Sequence, residues 1–381
     1  MKQNWIYKKL GEVATFVNGY PFKPIDWGVT GKPIIRIQNL NNANAPYNYF
    51  NGAIDSRYIV NEGEVLISWS GTLGVYEWNN HESALLNQHI FKVVFDKDPI
   101  NKGFFKYAIS SRINEMKSKV HGITMQHITK GEFDNTTIPV PPLADQSRIV
   151  AELDLLQSII DKQKAQLKEY DTLAQSIFYD MFGDPVDNEK GWEIKKLGDI
   201  CWKITDGVHA KPKYTETGMP FISVVNINKG KLLFDNCKYV SQQDGESFNK
   251  RTKPEKGDIL YTKVGATYGI PAIVDTDMEF CLYVSVCLIK PKKEIIDSVF
   301  LKSMMALPFI KTQADKKIRG IGVPDLHLNQ IGIFDIILPP LSLQQTFAAK
   351  IEAIEQQKTR ISQSIAEAQK LFDYTMDKYF G

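Results

Sequence analysis

Residues 141–182 read PPLADQSRIVAELDLLQSIIDKQKAQLKEYDTLAQSIFYDMF, and residues 339–380 read PPLSLQQTFAAKIEAIEQQKTRISQSIAEAQKLFDYTMDKYF. Each stretch begins with a Pro-Pro pair, after which neither glycine nor proline occurs. A proline stop followed by an uninterrupted segment predicts one long helix in each copy. Ser342, with Gln345 three residues later, predicts a capping box at the start of the second helix, and Asp145 lies near the same place in the first.

Both predicted helices carry apolar residues at alternating spacings of four and three. Nine of the ten positions from Ile149 to Met181 are apolar, and eight of the ten from Phe347 to Tyr379. This 3.5-residue period predicts an antiparallel coiled coil, the alternative being two amphipathic helices that each pack on their own domain. Gln163 and Lys358 interrupt the two seams near their middles, and we expect them to fix the register.

The repeat extends beyond the helices. The sequence W-I-Y-K-K-L-G at 5–11 returns as W-E-I-K-K-L-G at 192–198, and G-E-V-L-I-S at 63–68 returns as G-D-I-L-Y-T at 257–262. The separation between matching residues grows from 187 at the first motif to 198 at the Pro-Pro-Leu motifs, so the second copy has gained 11 residues. A doubled sequence of this kind predicts two homologous structural halves.

Short apolar runs at 65–68, 89–95 and 285–289 are bounded by Gly, Asn and Pro, which predicts strands in both halves. The predicted fold class is α+β, with two homologous α/β domains joined by two long helices in a pseudo-twofold dumbbell. The predicted domains, which we call the first head, first helix, second head and second helix, are residues 1–143, 144–183, 184–341 and 342–381.

Composition narrows the class of protein. The chain has 381 residues, 43% of them apolar, and a formal net charge of +2. We expect neither a transmembrane segment nor a secretory signal, because no long apolar run is present, and the four cysteines form no CxxC pair. These features predict a cytoplasmic protein. A protein that binds DNA by itself usually carries a net positive charge. If this chain binds DNA, its basic residues must therefore be clustered, or a partner must supply part of the positive surface.

Motifs for catalysis are missing from the sequence. It contains no G-x-x-x-x-G-K-[ST] phosphate loop, no Asn/Asp-Pro-Pro-Tyr/Phe adenine-methylation motif and no histidine pair at metal-binding spacing. The run 187–190 (Asp-Asn-Glu-Lys) vaguely resembles a nuclease cluster, but it lies in the linker between the repeats, where we expect a solvated turn. We therefore predict a non-catalytic chain with no metal or cofactor of its own.

The order of recognition domain, Pro-Pro-Leu motif and long helix, written twice, resembles the DNA specificity (S) subunit of type I restriction–modification enzymes. The W-x-x-K-K-L-G, G-E-V-L-I-S/G-D-I-L-Y-T and Pro-Pro-Leu motifs carry this resemblance over essentially the full chain. The resemblance implies that each domain reads one half of a split, asymmetric sequence in double-stranded DNA and that the helices set the spacer. It also implies two modification (methyltransferase) subunits that supply S-adenosylmethionine, and restriction/translocase subunits that use ATP and Mg²⁺.

Candidate DNA-contacting residues come from loops rich in groove-reading and phosphate-binding side chains. We expect residues 34–42 to form a strand that leads into an Asn-rich loop, with Asn226 and Ser223 as counterparts of Asn39 and Arg36. The other candidate segments are the glycine-rich loops at 68–74 and 262–269, the segments before the Pro-Pro stops, and the basic–aromatic loop at 209–214. The alternative for each of these segments is an ordinary surface loop. The candidate residues are Arg36, Gln38, Asn39, Ser70, Thr72, Lys119, His121, Gln126, Lys211, Lys213, Tyr214, Lys263, Thr267, Tyr268, Lys317 and Arg319.

Two other functions compete with DNA reading. A structural coiled-coil adaptor whose heads bind protein partners would show the same doubled architecture without salt-dependent DNA affinity in the assembled complex. A self-sufficient methyltransferase or nuclease would need catalytic and cofactor motifs that the sequence lacks.

Overall fold

The computed structural model describes residues 5–42, 44–119, 130–318 and 324–381, which divide into two compact units. The first unit consists of Met1–Lys164 and Gln363–Gly381, and the second of Ala165–Ser362. Each unit therefore contains one head, the first half of the helix that follows it and the second half of the other helix.

The strands are short, and the two heads share their order along the chain apart from one edge strand in each. In the first head they are β1 (Ile6–Lys9), β2 (Thr15–Asn18), β3 (Lys32–Ile35), β4 (Asn48–Phe50), β5 (Ile59–Val60), β6 (Val65–Ser68), β7 (Gly74–Glu77), β8 (Ala84–Leu86), β9 (Ile90–Val94) and β10 (Thr137–Val140). In the second head they are β11 (Glu193–Lys196), β12 (Cys201–Asp206), β13 (Tyr214–Thr215), β14 (Met219–Ile222), β15 (Lys238–Val240), β16 (Ile259–Thr262), β17 (Pro271–Ile273), β18 (Cys281–Leu282), β19 (Val286–Pro291) and β20 (Asp335–Leu338).

Short helices surround the sheets, and two helices of 40 residues follow the Pro-Pro motifs. The first unit contributes α1 (Leu10–Val13), α2 (Ile37–Asn41), α3 (Lys102–Lys119) and α4 (Lys130–Asn135), and the second contributes α6 (Gln242–Asn249), α7 (Ser298–Met305), α8 (Pro308–Asp315) and α9 (Leu328–Gly332). The long helices are α5 (Leu143–Phe182) and α10 (Leu341–Phe380). The long-helix prediction is confirmed. Ser342 lies inside the first turn of α10, so the predicted capping box at that residue is wrong.

Each head contains two four-stranded sheets and a two-stranded ribbon. The first sheet has the order β2-β9-β6-β7 in one head and β12-β19-β16-β17 in the other. The second has the orders β4-β3-β8-β5 and β13-β15-β14-β18, each with one parallel pair, β3 with β8 and β14 with β18. The ribbons pair β1 with β10 and β11 with β20, so the W-x-x-K-K-L-G motif meets the strand before each Pro-Pro stop.

Buried glutamines attach the start of each long helix to its own head. Gln146 Nε2 donates to the carbonyl of Pro141 at 2.8 Å, and its Oε1 accepts from the backbone N–H of Asn101 at 2.8 Å. Gln344, 198 residues later, donates to the carbonyl of Pro339 at 2.8 Å and accepts from the N–H of Asp297 at 2.9 Å. A buried amide whose donor and acceptor are both used holds the helix at one fixed position on the head.

The seam prediction is confirmed within each unit, where every heptad position is buried or half-buried. In the first unit the start of α5 packs against the end of α10, with Gln163 Nε2 donating to Ser364 Oγ at 2.7 Å. In the second, the start of α10 packs against the end of α5, and Lys358 lies 2.6 Å from Asp171 and 2.8 Å from Glu355. In both units the two helix segments therefore run antiparallel.

Aromatic residues at the end of each helix complete the core of the opposite head. Phe380 of α10 lies 5.2 Å, between ring centroids, from Phe104 in the first unit, and Phe182 of α5 lies 4.8 Å from Phe300 in the second. Tyr379 stacks on Trp5 with 6.2 Å between ring centroids, so the last helix ends beside the first W-x-x-K-K-L-G motif. Among the described residues, no helix is both long and apolar enough to cross a membrane.

Candidate nucleic-acid interface

Four of the predicted contact residues have no described side chain. His121, Gln126 and Arg319 lie outside the described residues. Lys119 is the last residue of α3, and nothing is described of its side chain. These four stay predictions from the sequence.

The strand predicted for residues 34–42 is wrong beyond Ile35, because the chain turns into the short helix α2. Asn39 causes the turn: its Oδ1 accepts from the backbone N–H of Arg36 at 3.1 Å, and its Nδ2 donates to the carbonyls of Ala45 and Pro46. Local side-chain bonds of this kind compete with a strand ladder. Asn39 is only 5% exposed, so it shapes the loop and does not face a groove.

Asn226 does the same in the second head. Its Oδ1 accepts from the N–H of Ser223 at 3.1 Å, and its Nδ2 donates to the carbonyl of Leu233 at 3.2 Å. The asparagine shared by both heads is therefore structural. The neighbouring position, Arg36 in one head and Ser223 in the other, is where the heads differ.

Arg36 and Gln38 remain near the surface of the first head. The Arg36 guanidinium lies 5.5 Å from the ring centroid of Trp27, which is itself 43% exposed, and Nη2 donates to the carbonyl of Pro46 at 3.3 Å. Gln38 is exposed, and its amide makes a long 3.5 Å hydrogen bond to the same carbonyl. An exposed amide held this weakly is free to exchange partners with a base edge.

The glycine-rich loop at 68–74 closes on itself and on β2. Ser68 Oγ donates to the carbonyl of Thr72 at 2.5 Å, and Trp69 Nε1 donates to Asn18 Oδ1 at 3.2 Å. Ser70 is 7% exposed, whereas Thr72 is exposed at the tip. Of the two predicted contact residues, only Thr72 therefore presents its side chain to solvent.

The equivalent loop of the second head has the same turn but different chemistry. Thr262 Oγ1 donates to the carbonyl of Thr267 at 2.7 Å, matching the Ser68–Thr72 bond, and the Thr267 side chain is exposed. Lys263 is 4% exposed and lies 3.6 Å from Asp206 and 3.3 Å from Asp325. The prediction that Lys263 reaches DNA is therefore wrong for this conformation, because its ammonium is taken up by two carboxylates.

Tyr268 connects this loop to the segment before the second Pro-Pro stop. Its hydroxyl donates to Asp315 and accepts from Lys311 Nζ at 2.9 Å, and the Lys311 ammonium lies 4.0 Å from the ring centroid. Lys317, just after α8, is half-buried, and its carbonyl accepts from Gln330 Nε2 at 2.7 Å. Two segments predicted independently therefore lie side by side in the second head.

Asp206 brings in a third segment. It is 3% exposed, and its Oδ1 accepts from Arg251 Nη2 at 2.8 Å and lies 3.1 Å from His209 Nε2. His209 opens the basic–aromatic loop, in which Lys211 and Lys213 are exposed. Two candidate segments, the loops that contain Lys263 and His209, therefore meet at one buried carboxylate.

Tyr214, the last predicted residue of that loop, belongs to strand β13. It is half-buried, packs edge-to-face on Phe221 at 5.8 Å, and has the Lys238 ammonium 4.3 Å from its ring centroid. These contacts support the sheet, and they leave Lys211 and Lys213 as the outward-facing groups.

The sequence reasoning missed Asp206, Arg251 and Asp325, as well as Lys311. The contacts that join Arg251 to Asp206 and Asp325 to Lys263 span 45 and 62 residues, so no local pattern marks them. Only the repeat offers a hint. Asp206 and Lys263 occupy the positions that Asn18 and Trp69 occupy in the first head. The second head therefore has an ion pair where the first has a hydrogen bond from the Trp69 indole to the Asn18 amide.

Among the described residues, no group of three or more His, Cys, Asp and Glu side chains is placed to hold a metal ion. The four cysteines are free thiols. Burial raises the pKa of Cys201 and of Cys281 to about 12, which keeps both as unreactive thiols at neutral pH.

Comparison with known proteins identifies the family to which the chain is similar. The family model of the type I restriction modification DNA specificity domain matches residues 2–169 and 189–369. The specificity subunit of the type I restriction enzyme EcoBI from Escherichia coli is 25% identical over 92% of this chain and 79% of its own length. The MjaVIII specificity subunit from Methanocaldococcus jannaschii is 21% identical over 93% of this chain and 86% of its own.

Solved structures agree at the level of fold. The S subunit of the M. genitalium type I restriction–modification system is 14% identical, with a TM-score of 0.57 over 99% of this chain and 96% of that one. A chain from a study of complex assembly and conformational transition of the type I system is 19% identical, with a TM-score of 0.58 over 99% and 98% of the two chains. With both heads matched by the family model, this chain belongs to the family of type I restriction–modification DNA specificity domains.

Proposed function

We propose that the chain is the specificity subunit of a type I restriction–modification complex, in which each head reads one half of a bipartite, asymmetric DNA target. The doubled fold carries the proposal. Two heads of similar topology, which differ by one edge strand each (β5 and β13), present matched loops whose residues differ, as Arg36 differs from Ser223. Heads that share a backbone and differ at the loop tips suit the reading of two different half-sites.

The interface that we propose keeps only the outward-facing members of the predicted set. In the first head these are Gln38 and Thr72, and in the second they are Lys211, Lys213 and Thr267. Arg36, beside Trp27, and Lys317 are half-buried and stay predictions. The buried side chains Asn39, Ser70 and Lys263 act by shaping the loops. The amide of Gln38 suits a base edge, whereas the lysines suit phosphates.

The paired helices are proposed to set the spacer and to dock two modification subunits. Catalysis is assigned to partners. S-adenosylmethionine would bind to the modification subunits, and ATP with Mg²⁺ to restriction/translocase subunits, all in the cytoplasm. The near-neutral charge of this chain supports such sharing, because it leaves many phosphate contacts to the rest of the complex.

Methylation mapping tests the proposal. A genome is sequenced for modified adenines in cells that carry this chain with its neighbouring modification subunit, and in cells that lack the chain. We expect a split motif with a modified adenine in each half, present only with the chain. A stable complex that leaves no motif would contradict the proposal and favour the protein-binding adaptor.

Exchanging a head separates the two reading functions. Replacing residues 15–139 with the corresponding residues of another specificity subunit should change one half of the motif and leave the other intact. A change in both halves would contradict independent reading by the heads.

A further inference from the structure

A cavity of about 750 Å³ lies in the second unit, at a distance from the candidate DNA loops. Its walls come from the segment just before β16, the end of β17, α7 and one face of α10. The β16–β17 hairpin places Gly257 and Ile273 at the cavity and Lys263 and Thr267 at the opposite, turn end. At about 3.3 Å per residue, four strand residues separate the two ends by roughly 13 Å.

Lys302, on α7, lines this cavity without a partner. It is half-buried, and its ammonium makes no hydrogen bond or ion pair with any described residue. Burial lowers the pKa of Lys302, and the nearby Glu355 only partly offsets that effect. Burying an ammonium without a counter-ion costs free energy. Binding of an anionic group in the cavity would offset that cost for Lys302.

The first head provides an internal comparison. Lys106 occupies the equivalent position on α3, and its Nζ lies 2.6 Å from Glu77 Oε2, while Lys102 lies 2.8 Å from Oε1 of the same carboxylate. Glu77 pairs with Val65 in the sheet, just as Ile273 pairs with Ile259 in the second head. The carboxylate that neutralises the lysine in one head is therefore an isoleucine in the other.

Other charged groups on the cavity walls do not replace that carboxylate. Glu355 already binds Lys231 and Lys358, each at 2.8 Å, and Asp297 accepts from the first N–H groups of α7. Asp275 and Glu352 are exposed. Two further lysines, Lys256 and Lys293, line the same space, alongside the aliphatic side chains of Leu232, Ile296 and Ile351.

We propose that this cavity binds a carboxylate of an acidic peptide segment from a protein partner, with Lys302 as the central cation. Aliphatic walls beside lysines suit the methylene groups and carboxylate of a glutamate side chain. Among the described residues, the equivalent lysine of the first head is already paired with Glu77, so the partner would be held at the second unit by a contact that Lys106 does not offer. The identification of that partner as a modification subunit rests on the proposed function.

A direct test uses a probe that does not depend on that identification. Calorimetric titration of the full-length chain with an acetylated tetraglutamate peptide should show binding that Lys302→Gln weakens at least tenfold, Lys302→Arg largely preserves, and Lys106→Gln leaves within twofold. Lys106→Gln is the matched control because Glu77 keeps its ion pair with Lys102 when Lys106 is replaced. Equal binding by the wild-type chain and the Lys302→Gln variant would overturn the site.

Ile273→Glu provides a second variant that leaves the lysine in place. It installs the carboxylate of the first head, so Lys302 becomes internally paired and peptide binding should fall at least tenfold. Succinate and a 20-base-pair duplex serve as competing probes: displacement of the peptide by the duplex at equal charge concentration would assign the cavity to DNA phosphate and overturn the proposal. Displacement by succinate at peptide-like concentrations would also overturn it, in favour of a free small carboxylate.

The last experiment measures binding of the modification subunit to the wild-type chain and to each variant. We expect Lys302→Gln and Ile273→Glu to weaken binding of that subunit at least tenfold, while wild-type and Lys106→Gln chains bind alike. If the wild-type chain fails to bind the modification subunit at all, the proposed function fails while the peptide result stands. If both variants assemble normally, the docking role is overturned.

Discussion

Asp206 and Lys263 form a buried ion pair in the second head, with 3.6 Å between Oδ2 and Nζ, at the positions where the first head has Asn18 and Trp69. The two residues end β12 and begin the loop after β16, so the pair joins adjacent loops. Arg251 and Asp325 extend it to two more segments. The same two strand ends are thus connected by an ion pair in the second head and by an amide–indole hydrogen bond in the first.

Asp206→Asn should disturb reading of one half-site only. The substitution removes the carboxylate that Lys263 and Arg251 share. Lys263 keeps Asp325 at 3.3 Å, so we expect a cost below the roughly 3–5 kcal/mol of a buried charge left unpaired. We expect methylation by the assembled complex to lose at least tenfold in discrimination against base changes in one half-site. The double variant Asp206→Asn with Lys263→Trp installs the first head's pair and should recover part of the loss. Equal losses at both half-sites would contradict this role.

Gln146→Ala and Gln344→Ala should destabilise their own units by similar amounts. Each removes a buried amide that uses both its donor and its acceptor, and leaves a buried carbonyl and N–H without partners, at about 1–3 kcal/mol for each group. Urea unfolding followed by hydrogen exchange should locate the loss in the first unit for Gln146 and in the second for Gln344. Gln356→Ala, at an exposed position on α10, is the control and should change stability by less than about 0.5 kcal/mol.

Gln163→Leu should stabilise the first unit. Gln163 Nε2 bonds to Ser364, but its Oε1 is buried without a partner among the described residues. Replacing a half-satisfied polar group with an apolar one of similar size should gain about 1 kcal/mol, measured by thermal unfolding. Lys358→Met should do the opposite in the second unit, because Asp171 and Glu355 lose an ion-pair partner, although Glu355 keeps Lys231 at 2.8 Å. A loss of stability in Gln163→Leu would favour its assignment as a net-stabilising register contact.

Glu77 should make the first unit sensitive to acid. Burial acts to raise the pKa of Glu77, but hydrogen bonds and charges from Lys102 and Lys106 outweigh it and hold the pKa below the usual 4.5. A carboxyl with a lowered folded-state pKa stabilises the fold above its unfolded pKa, and that contribution is lost as pH falls through the folded value. Urea unfolding between pH 6 and pH 3 should show a smaller decline for Glu77→Gln than for the wild-type chain. Glu82→Gln, at an exposed position, should follow the wild-type decline.

Inserting seven residues into both long helices should lengthen the spacer. The insertions belong after Lys164 and after Ser362, where the two compact units meet along the sequence. Seven helical residues add about 10 Å, and the spacer of the methylated motif should grow by up to about three base pairs. Both half-sites should stay the same. An unchanged spacer in a complex that still methylates would refute the ruler role of the helices.

Much of the architecture could be read from the sequence, since it depends on periodicity and on the repeat. The seam from Ile149 to Met181 is visible because apolar spacing along a helix maps directly onto one face. The strands around Val65 and Ile90 are visible because glycine and asparagine bound them. Asn39 was misassigned because a single side chain, by bonding back to Arg36, turned a strand-like pattern into a helix.

The sequence by itself determined that this chain is two related α/β heads with long helices, and it pointed to the family through motifs written twice. Only the tertiary structure decided which candidate side chains are available for contact. Lys263 and Ser70 look like surface groups in their glycine-rich loops, yet distant partners and close packing bury both. Helical and strand periods are local and repeat every few residues. Burial of one lysine depends on Asp206 and Asp325, 57 and 62 residues away, and no local pattern encodes such a meeting.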